Sequence, residues 1–293
     1  MMRVAIVGLG LIGGSMGMAL RHAGSGNMEV TGWARRAEVA RQAAEMGAVD
    51  RVEQDLAFAV GAADIVVLAT PVLAMRDMMQ RIRPHLAPGC VVTDVASTKV
   101  EVLAWAREHL PAGIDFVGGH PMAGKEVAGI EAAEAALFRG CIYCLVPGEG
   151  ASPGSVQKMV DLVRMLGAES LFIDAEEHDA AVAGISHLPL IASTALLMST
   201  ARSPSWPQMS KLAATGYRGV TRLASQHPTM NRDICITNGS NIVAWVERFI
   251  EELRRLQEIV ARAVPEDVEG AFAEAREARQ RWLESHDKGD PSA

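Results

Sequence analysis

The sequence predicts a doubly wound α/β domain with a mainly parallel sheet over residues 1–174, followed by an all-helical domain over residues 175–293. Two patterns lead to this fold class. Up to about residue 174, short apolar runs alternate with amphipathic stretches, and strands separated by helices pair in parallel through right-handed crossovers. Beyond that point the apolar residues recur with helical spacing, most clearly over residues 241–262. We therefore place the domain boundary at this change of periodicity.

The predicted elements follow one another in a regular order. Apolar runs predict strands at residues 3–7, 29–33, 64–70, 90–94, 115–117, 141–146 and 170–173. The helices predicted between them cover residues 12–23, 37–46, a stretch ending near 83, 99–109 and a segment after Pro153. The second domain is predicted to contain helices at residues 176–184, 188–200, 207–214, 228–237, 241–262 and 265–283.

Composition and charge exclude several classes of protein. Hydrophobic residues make up 49% and charged residues 22% of the 293 residues, which is enough apolar sequence for a sizeable core. The formal net charge of −7 gives no overall attraction to nucleic acid or to an anionic membrane, so we expect neither as a partner. Apart from the glycine-containing start (residues 4–20), which lacks a signal-peptide cleavage site, no segment approaches membrane-spanning length. We expect a cytoplasmic protein.

The four cysteines predict buried thiols and not a disulfide framework. Cys141 and Cys144 form a C-x-x-C pattern, but they lie in an apolar run that predicts a strand. No second Cys or His pair follows at the spacing of zinc ligands, so we expect no bound metal.

A glycine-rich turn near the start of the chain predicts a dinucleotide site. It has the pattern G-x-G-x-x-G between a predicted strand and a predicted helix, and consists of Gly8, Leu9, Gly10, Leu11, Ile12 and Gly13. The glycines permit a tight turn, close approach of the backbone to a pyrophosphate and close packing of the helix, as in a Rossmann-type domain. Thr70 and Pro71 follow a later strand and should reach the same edge of the sheet, although Pro71 could serve only to end its strand.

The end of the second predicted strand indicates which dinucleotide is bound. Ala34 stands where an acidic residue would bind the ribose hydroxyls of NAD, and Arg35 and Arg36 follow it. Because guanidinium groups pair well with a 2′-phosphate, we expect NADP to be favoured, with NAD as the alternative. If this is wrong, the two arginines simply open a surface helix.

Two segments after later strands carry side chains suited to proton transfer. Ser97 follows the strand at residues 90–94, and its hydroxyl is not needed for capping because Thr98 and Glu101 match a capping box. His120 lies in a predicted glycine- and proline-containing loop, where its near-neutral pKa would suit a catalytic acid or base. A histidine that only braces this loop is the alternative.

Together these motifs resemble the prephenate/arogenate dehydrogenase family of tyrosine biosynthesis. The similar segments are GLGLIGGS (8–15), DVASTK (94–99), GGHPMAGKE (118–126), SHLP (186–189) and RDI (232–234). The resemblance covers nearly the whole chain and implies that the helical domain forms a homodimer and contributes to the active site. It also implies oxidative decarboxylation of prephenate to 4-hydroxyphenylpyruvate, or of arogenate to tyrosine, with hydride transfer to NAD(P).

The resemblance also implies roles for individual residues. His120 would accept the proton of the substrate's ring hydroxyl, while Ser97 would bond to that hydroxyl or orient the imidazole. Arg222 matches the family's substrate-binding arginine. Further candidates for binding the dicarboxylate substrate are His187, Lys125, Arg218 and Arg232.

The chain departs from the family's pattern at three positions. Ala34 replaces the acidic residue of NAD-using members, Leu190 stands where many members have a second histidine, and Asn231 stands where some have tryptophan. The last two differences leave prephenate and arogenate open as substrates. A β-hydroxyacid or imine reductase of similar architecture and a dinucleotide-binding regulator without catalysis are the remaining alternatives.

Overall fold

The computed structural model describes residues 1–24, 26–125 and 127–286. Its strands are β1 (Met2–Val7), β2 (Met28–Trp33), β3 (Arg51–Val52), β4 (Ile65–Leu68), β5 (Val91–Asp94), β6 (Asp115–Pro121), β7 (Ile142–Pro147) and β8 (Glu169–Phe172). The helices between them are α1 (Leu11–Ala23), α2 (Ala37–Glu45), α3 (Leu56–Val60), α4 (Val72–Ile82), α5 (Val100–His109) and α6 (Pro153–Met165).

Within the described residues these strands form one eight-stranded sheet in the order β3-β2-β1-β4-β5-β6-β7-β8. The first six strands are parallel, β7 runs antiparallel to β6, and β8 runs parallel to β7. The order 3-2-1-4-5-6 is that of the Rossmann dinucleotide-binding fold. The prediction of a doubly wound, mainly parallel sheet is therefore confirmed.

Two short elements between β2 and β4 were not predicted from the sequence. β3 has two residues and α3 has five, and neither length is enough to produce a readable apolar periodicity. The strand predicted at residues 115–117 continues to Pro121, so residues 118–121 are strand and not loop.

The helices after the sheet are α7 (Ala175–Val182), α8 (Leu188–Ala201), α9 (Trp206–Met209), α10 (Thr215–Thr221), α11 (Pro228–Thr237), α12 (Gly239–Arg262) and α13 (Pro265–His286). A π-helical segment, Ala183–His187, joins α7 to α8. Pro189 lies in the first turn of α8 and has no backbone N–H, so the α-helical ladder cannot continue unchanged through this position.

Because of this junction, residues Ala175–Ala201 form one helix of 27 residues. By length and composition it could cross a membrane, since an 18-residue window within it has a mean hydropathy of 1.7, so our expectation that no segment approaches that length is wrong. Core helices of water-soluble proteins meet the same criterion. This helix carries His178 and Asp179, which are buried and hydrogen-bonded to other parts of the chain.

The chain forms two compact units, Met1–Asn241 and a second unit that begins at Ile242. The first unit contains the whole sheet and the helices up to α11. The second consists of α12 from Ile242 onward and α13. The division between these two units does not coincide with the end of the sheet, because β8 ends at Phe172 and α7 begins at Ala175.

The turn between β1 and α1 depends on two glycines. Gly8 has a φ of +110°, and a Cβ atom there would lie 2.4 Å from the backbone oxygen of Ala69. A Cβ atom on Gly13 would lie 1.9 Å from the backbone oxygen of Gly8. By contrast, a Cβ atom on Gly10 meets nothing within 4 Å. The turn therefore requires glycine at position 8 to pass close to the segment after β4, and glycine at position 13 to let α1 pack on the end of β1.

We predict that Gly13→Ala lowers the free energy of unfolding by at least about 2 kcal/mol, because the added methyl group must displace backbone. Gly10→Ala is the matched control and should change this free energy by less than about 1 kcal/mol. Denaturant unfolding of the two variants measures the difference, and equal midpoints would contradict the packing argument.

Candidate active site

The carboxyl ends of four neighbouring strands bring most of the predicted site residues to one edge of the sheet. Val7 pairs with Leu68, and Leu68 pairs with Asp94, so the segments that follow β1, β4 and β5 leave the sheet side by side. His120 lies near the end of β6, the next strand. The glycine turn, Thr70, Ser97 and His120 therefore lie at the same edge, where ligands of open α/β sheets bind.

The glycine turn fits the pyrophosphate of a dinucleotide. Among the described residues no side chain caps the N-terminus of α1, and its first turn contains no acidic residue, so its backbone N–H groups are available to an anion. The open space beside Gly10 allows close approach to the backbone. Leu9 and Leu11 are buried and Ile12 is half-buried, so their side chains fix the turn to the core of the domain. Pro71 is the N-cap residue of α4, and Thr70 before it has a buried hydroxyl without a hydrogen-bond partner among the described residues.

Ala34 and the two arginines after it follow β2. Ala34 is half-buried and supplies no carboxylate. Arg35 and Arg36 are exposed, and Arg36, the N-cap residue of α2, has its Nε 4.0 Å from Oε1 of Glu38. Such a long contact between exposed groups contributes little to stability, so both guanidinium groups can meet a ligand.

A buried ion pair lies directly behind His120. Nζ of Lys99 donates to Oδ2 of Asp94 and, at 2.6 Å, to the backbone oxygen of Gly119. Oδ1 of Asp94 accepts from the backbone N–H of Gly119 at 3.1 Å. Both charged side chains are fully buried. Burial lowers the pKa of Lys99, and the charge of Asp94 opposes this effect. The pair holds the backbone just before His120 in a fixed position.

Close packing around β6 explains the two glycines that precede His120. A Cβ atom on Gly119 would lie 2.6 Å from the backbone oxygen of Asp94, and one on Gly118 would lie 3.0 Å from Cδ1 of Leu103 and 3.2 Å from Cδ of Lys99. These glycines allow β6 to pack closely, and they do not form a loop. His120 is accordingly a strand residue, only 9% exposed, which corrects our expectation of a loop.

A chain of hydrogen bonds orients the ring of His120. Its Nδ1 lies 2.9 Å from Nε2 of His178, and Nδ1 of His178 lies 2.8 Å from Oδ1 of Asp179. Because a carboxylate can only accept, His178 donates from Nδ1, and a His178 ring with this one proton accepts at Nε2 from the Nδ1–H of His120. The nitrogen of His120 that keeps a free lone pair is Nε2, so this nitrogen can accept a proton.

Asp179 also caps helix α5. Its Oδ1 accepts from the backbone N–H of Lys99 at 2.8 Å, and its Oδ2 accepts from that of Val100 at 3.0 Å. The capping box predicted for Thr98 and Glu101 is therefore wrong, since a carboxylate from another helix occupies the cap. The hydroxyl of Thr98 instead lies 2.8 Å from the hydroxyl of Thr237 on α11.

Burial lowers the pKa of His120 well below its usual value of 6.5, and the positive charge of Lys99 lowers it further. His178 and His187 act in the same direction. His120 is therefore neutral at physiological pH. A neutral imidazole is the form that can act as a general base.

The other predicted site residues occupy varied positions. Ser97 is half-buried, and His187 is 1% exposed at the end of the π-helical segment, where burial lowers its pKa to about 4. Lys125 lies 3.0 Å from Oε2 of Glu134 and donates to the backbone oxygen of Ala132. Glu126, the last residue of the GGHPMAGKE segment, lies outside the described residues.

The candidate arginines lie in the helical part of the first unit. Arg218 is exposed on α10, and Arg222 is exposed at the start of the 3-10 helix that follows, Arg222–Ser225. Arg232 pairs at 2.6 Å with Asp233, whose other oxygen accepts from the backbone N–H of Leu73. This last contact fixes α11 against the start of α4, beside the dinucleotide edge.

His178 and Asp179 were not identified from the sequence. The signal that could have found them is an adjacent His-Asp pair in the first helix after the sheet. A helical pattern alone does not show that these two residues face the carboxyl edge of the sheet, so the pair has no visible meaning without the fold.

Two sequence profiles match the chain. "Prephenate dehydrogenase, nucleotide-binding domain" matches residues 16–172, and "Prephenate dehydrogenase, dimerization domain" matches residues 174–274. The chain belongs to the prephenate dehydrogenase family. It is accordingly an oxidoreductase with a dinucleotide-binding Rossmann domain followed by the family's helical domain.

Relatives in this family include enzymes with both expected substrates in their names. Prephenate dehydrogenase of Bacillus subtilis is 34% identical over 92% of this chain and 72% of its own length. The crystal structure of A. aeolicus prephenate dehydrogenase with hydroxyphenyl propionate and NAD+ has a TM-score of 0.88 at 27% identity, covering 96% of this chain and 98% of its own. Synechocystis arogenate dehydrogenase has a TM-score of 0.81 at 29% identity, covering 96% of this chain and 100% of its own.

We predict that His178→Phe lowers kcat with prephenate by about 100-fold, within the range that a positioned base contributes. Phenylalanine fills the space but cannot accept the Nδ1–H of His120, so Nε2 of His120 is no longer kept unprotonated and in place. The dissociation constant of the dinucleotide should not change, because the glycine turn is untouched.

The control is His109→Phe, which also replaces a buried histidine. His109 lies on α5 and accepts from Nε of Arg76, outside the active-site cluster. Activity assays give kcat with prephenate for the two variants, and dinucleotide titrations give the dissociation constant of the dinucleotide. An equal loss of kcat in both, or weakened dinucleotide binding in His178→Phe, would contradict the orienting role of His178.

Proposed function

We propose that the protein is an NAD(P)-dependent prephenate dehydrogenase that converts prephenate to 4-hydroxyphenylpyruvate and carbon dioxide. The observation that supports this proposal most directly is the state of His120. It is a neutral imidazole with Nε2 free to accept a proton, at the sheet edge that also carries the dinucleotide turn. Oxidation of a ring alcohol requires a proton acceptor at this place.

In this proposal, Nε2 of His120 takes the proton from the ring hydroxyl of the substrate. Ser97 bonds to the same hydroxyl or helps to orient the imidazole. The dinucleotide, when bound, supplies the hydride acceptor. Loss of the ring carboxylate as carbon dioxide then restores aromaticity, so the protein needs only to hold the substrate and to keep His120 neutral. The charge of Lys99 and the burial of the site serve this second purpose.

The dicarboxylate substrate needs local cations because the chain carries a formal net charge of −7. We assign Arg222 as the principal carboxylate-binding residue. Arg218 precedes it by one helical turn, and both are exposed in the single chain. Lys125, Arg232 and His187 are further candidates. Lys125 and Arg232 have acidic partners, Glu134 and Asp233, and would have to share their charge with the substrate.

Arogenate is the second candidate substrate. Leu190, at the position of the second histidine in many members, is only 5% exposed and can give no polar contact to a side-chain carboxylate. Arogenate carries an amino group beside this carboxylate, so it would need different polar contacts near position 190. Asn231 supports the same alternative, because its buried Oδ1 has no hydrogen-bond partner among the described residues and could accept from an ammonium group.

We propose that NADP is preferred over NAD. Ala34 supplies no acceptor for the ribose hydroxyls, and the exposed Arg35 and Arg36 follow directly. A 2′-phosphate would bring two negative charges to these guanidinium groups, which bind phosphate through paired hydrogen bonds.

We also propose a homodimer formed through the helical region, with the domain boundary near residue 174. Several apolar side chains of this region are exposed in the single chain, as expected for a face covered by a second copy. They are Ile185, Leu212, Val220 and Ile236. A cytoplasmic location is supported by the four free cysteines, which suit a reducing compartment.

The proposed function is tested by offering prephenate and arogenate, each with NAD and with NADP, and measuring nicotinamide reduction. We expect the highest kcat/KM with prephenate and NADP. His120→Asn should lower kcat by at least about 100-fold, because asparagine cannot take up the proton. Absence of reduction in all four combinations would rule out the proposed reaction, and unchanged kcat in His120→Asn would rule out His120 as the base.

Dinucleotide preference is tested with the double variant Arg35→Ala and Arg36→Ala. We expect its affinity for NADP to fall by at least about tenfold, since charge-assisted hydrogen bonds to the 2′-phosphate are lost. NAD affinity should change by less than about twofold. Arg41→Ala removes an exposed charge from α2, the helix that follows the two arginines, and serves as the control. Equal effects of the double variant on both dinucleotides would overturn the 2′-phosphate argument.

A further inference from the structure

His120, His178 and His187 form a buried histidine cluster, and one ring nitrogen of His187 lacks a hydrogen-bond partner among the described residues. The residue is 1% exposed, and its Nε2 has no hydrogen-bond partner among the described residues. Its ring lies within electrostatic range of both His120 and His178. A buried polar nitrogen without a partner costs free energy unless a ligand or a water molecule satisfies it.

The neighbour of His187 determines which ring nitrogen carries the proton. Nδ2 of Asn238 lies 2.7 Å from the backbone oxygen of Asp179 and 3.2 Å from Nδ1 of His187. The backbone oxygen can only accept, so the amide nitrogen of Asn238 must face it. Oδ1 of Asn238 is engaged elsewhere, because it accepts from Nδ2 of Asn241 at 2.8 Å. Asn238 thus offers a donor, and not an acceptor, to His187.

A neutral imidazole that accepts at Nδ1 must carry its proton on Nε2. Burial lowers the pKa of His187 to about 4, so the ring is neutral under physiological conditions. The free atom of His187 is therefore an N–H donor, and an oxygen acceptor is what it needs. This is the opposite of His120, whose Nε2 is kept without a proton.

We propose that Asn238 is a positioning residue that holds His187 as an Nε2–H donor to an oxygen atom of the bound substrate. The acceptor belongs to a carboxylate or carbonyl group, because the hydroxyl that loses its proton is served by His120. This inference rests on the proposed function for the identity of the substrate, but not for the protonation of His187. His178 would thus leave Nε2 of His120 without a proton, whereas Asn238 would keep a proton on Nε2 of His187.

Two variants of His187 separate the ring nitrogens. Glutamine places an amide N–H near the position of Nε2, whereas asparagine places its amide near Nδ1. We expect His187→Asn to raise the KM for prephenate by about 10- to 100-fold, as for a lost hydrogen bond to a charged group. His187→Gln should raise it by less than about threefold. The dissociation constant of the dinucleotide should be the same in both variants.

The role of Asn238 is tested with Asn238→Asp, which replaces the donor by an acceptor of the same shape. The carboxylate then accepts from Nδ1–H, which leaves Nε2 bare when the ring is neutral, and it raises the pKa of His187 because it favours the charged ring. At high pH the KM should therefore rise as in His187→Asn. As the pH falls through this raised pKa, the ring gains its second proton and the KM should return toward the native value. In the native protein the Nε2–H is present throughout the range from about pH 6 to about pH 9, so this change of KM should be absent.

Nitrogen-15 NMR of the imidazole in the substrate-free protein reports the protonated nitrogen directly. We expect Nε2–H in the native protein and Nδ1–H in Asn238→Asp at high pH. Nδ1–H in the native protein, equal KM values for His187→Asn and His187→Gln, or a KM of Asn238→Asp unaffected by pH would each overturn the proposal. Absence of turnover by the native protein would instead reject the proposed function, and the NMR result would still decide the role of Asn238. If Asn238→Asp does not fold, the two His187 variants and the native spectrum remain decisive.

Discussion

The arrangement of the site depends on one buried carboxylate, that of Asp179. It accepts from two backbone N–H groups at the start of α5 and from Nδ1 of His178. An unpaired charge at this depth would be costly, so the three donors are needed to keep the carboxylate buried. Because those donors come from the sheet domain and from α7, the same interaction fixes the first helix after the sheet to the sheet edge. This contact therefore holds His178, the hydrogen-bond partner of His120, against the segment between β5 and α5 that contains Ser97.

A second buried charge, that of Lys99, acts on His120, the proposed base. Lys99 and Asp94 form an ion pair that is fully removed from solvent, and replacing such a pair by apolar residues often does not reduce stability. Its value here is functional. Lys99 holds the backbone oxygen of Gly119, and its positive charge disfavours protonation of the adjacent His120. Lys99 thus helps to fix the backbone next to His120 and adds to the effect of burial, which is the main cause of the lowered pKa of His120.

The sequence predicted the sheet, its mainly parallel pairing and the helical region, because apolar periodicity and glycine spacing are local properties. It also predicted that the glycine turn, Ser97 and His120 follow strands, and strands in a parallel sheet end at the same edge. It could not predict that His120 is buried in a strand, because the reason lies in the distant side chains of Asp94 and Lys99. The roles of His178, Asp179 and Asn238 are likewise invisible in the sequence. Each of them acts through a partner 50 or more residues away, apart from the His178–Asp179 contact itself.

The π-helical segment explains how one helix can supply two histidines to the same cluster. His178 and His187 are nine residues apart, and in a regular α-helix this separation turns their side chains to faces about 180° apart. The wider turn over Ala183–His187 advances by a smaller angle for each residue, which brings His187 back toward the face of His178. Pro189 lowers the free-energy cost of this irregularity, because proline has no backbone N–H and the α-helical hydrogen bond at that position is absent in any case. The local departure from α-helical geometry is therefore what brings His187 into the same buried cluster as His178 and His120.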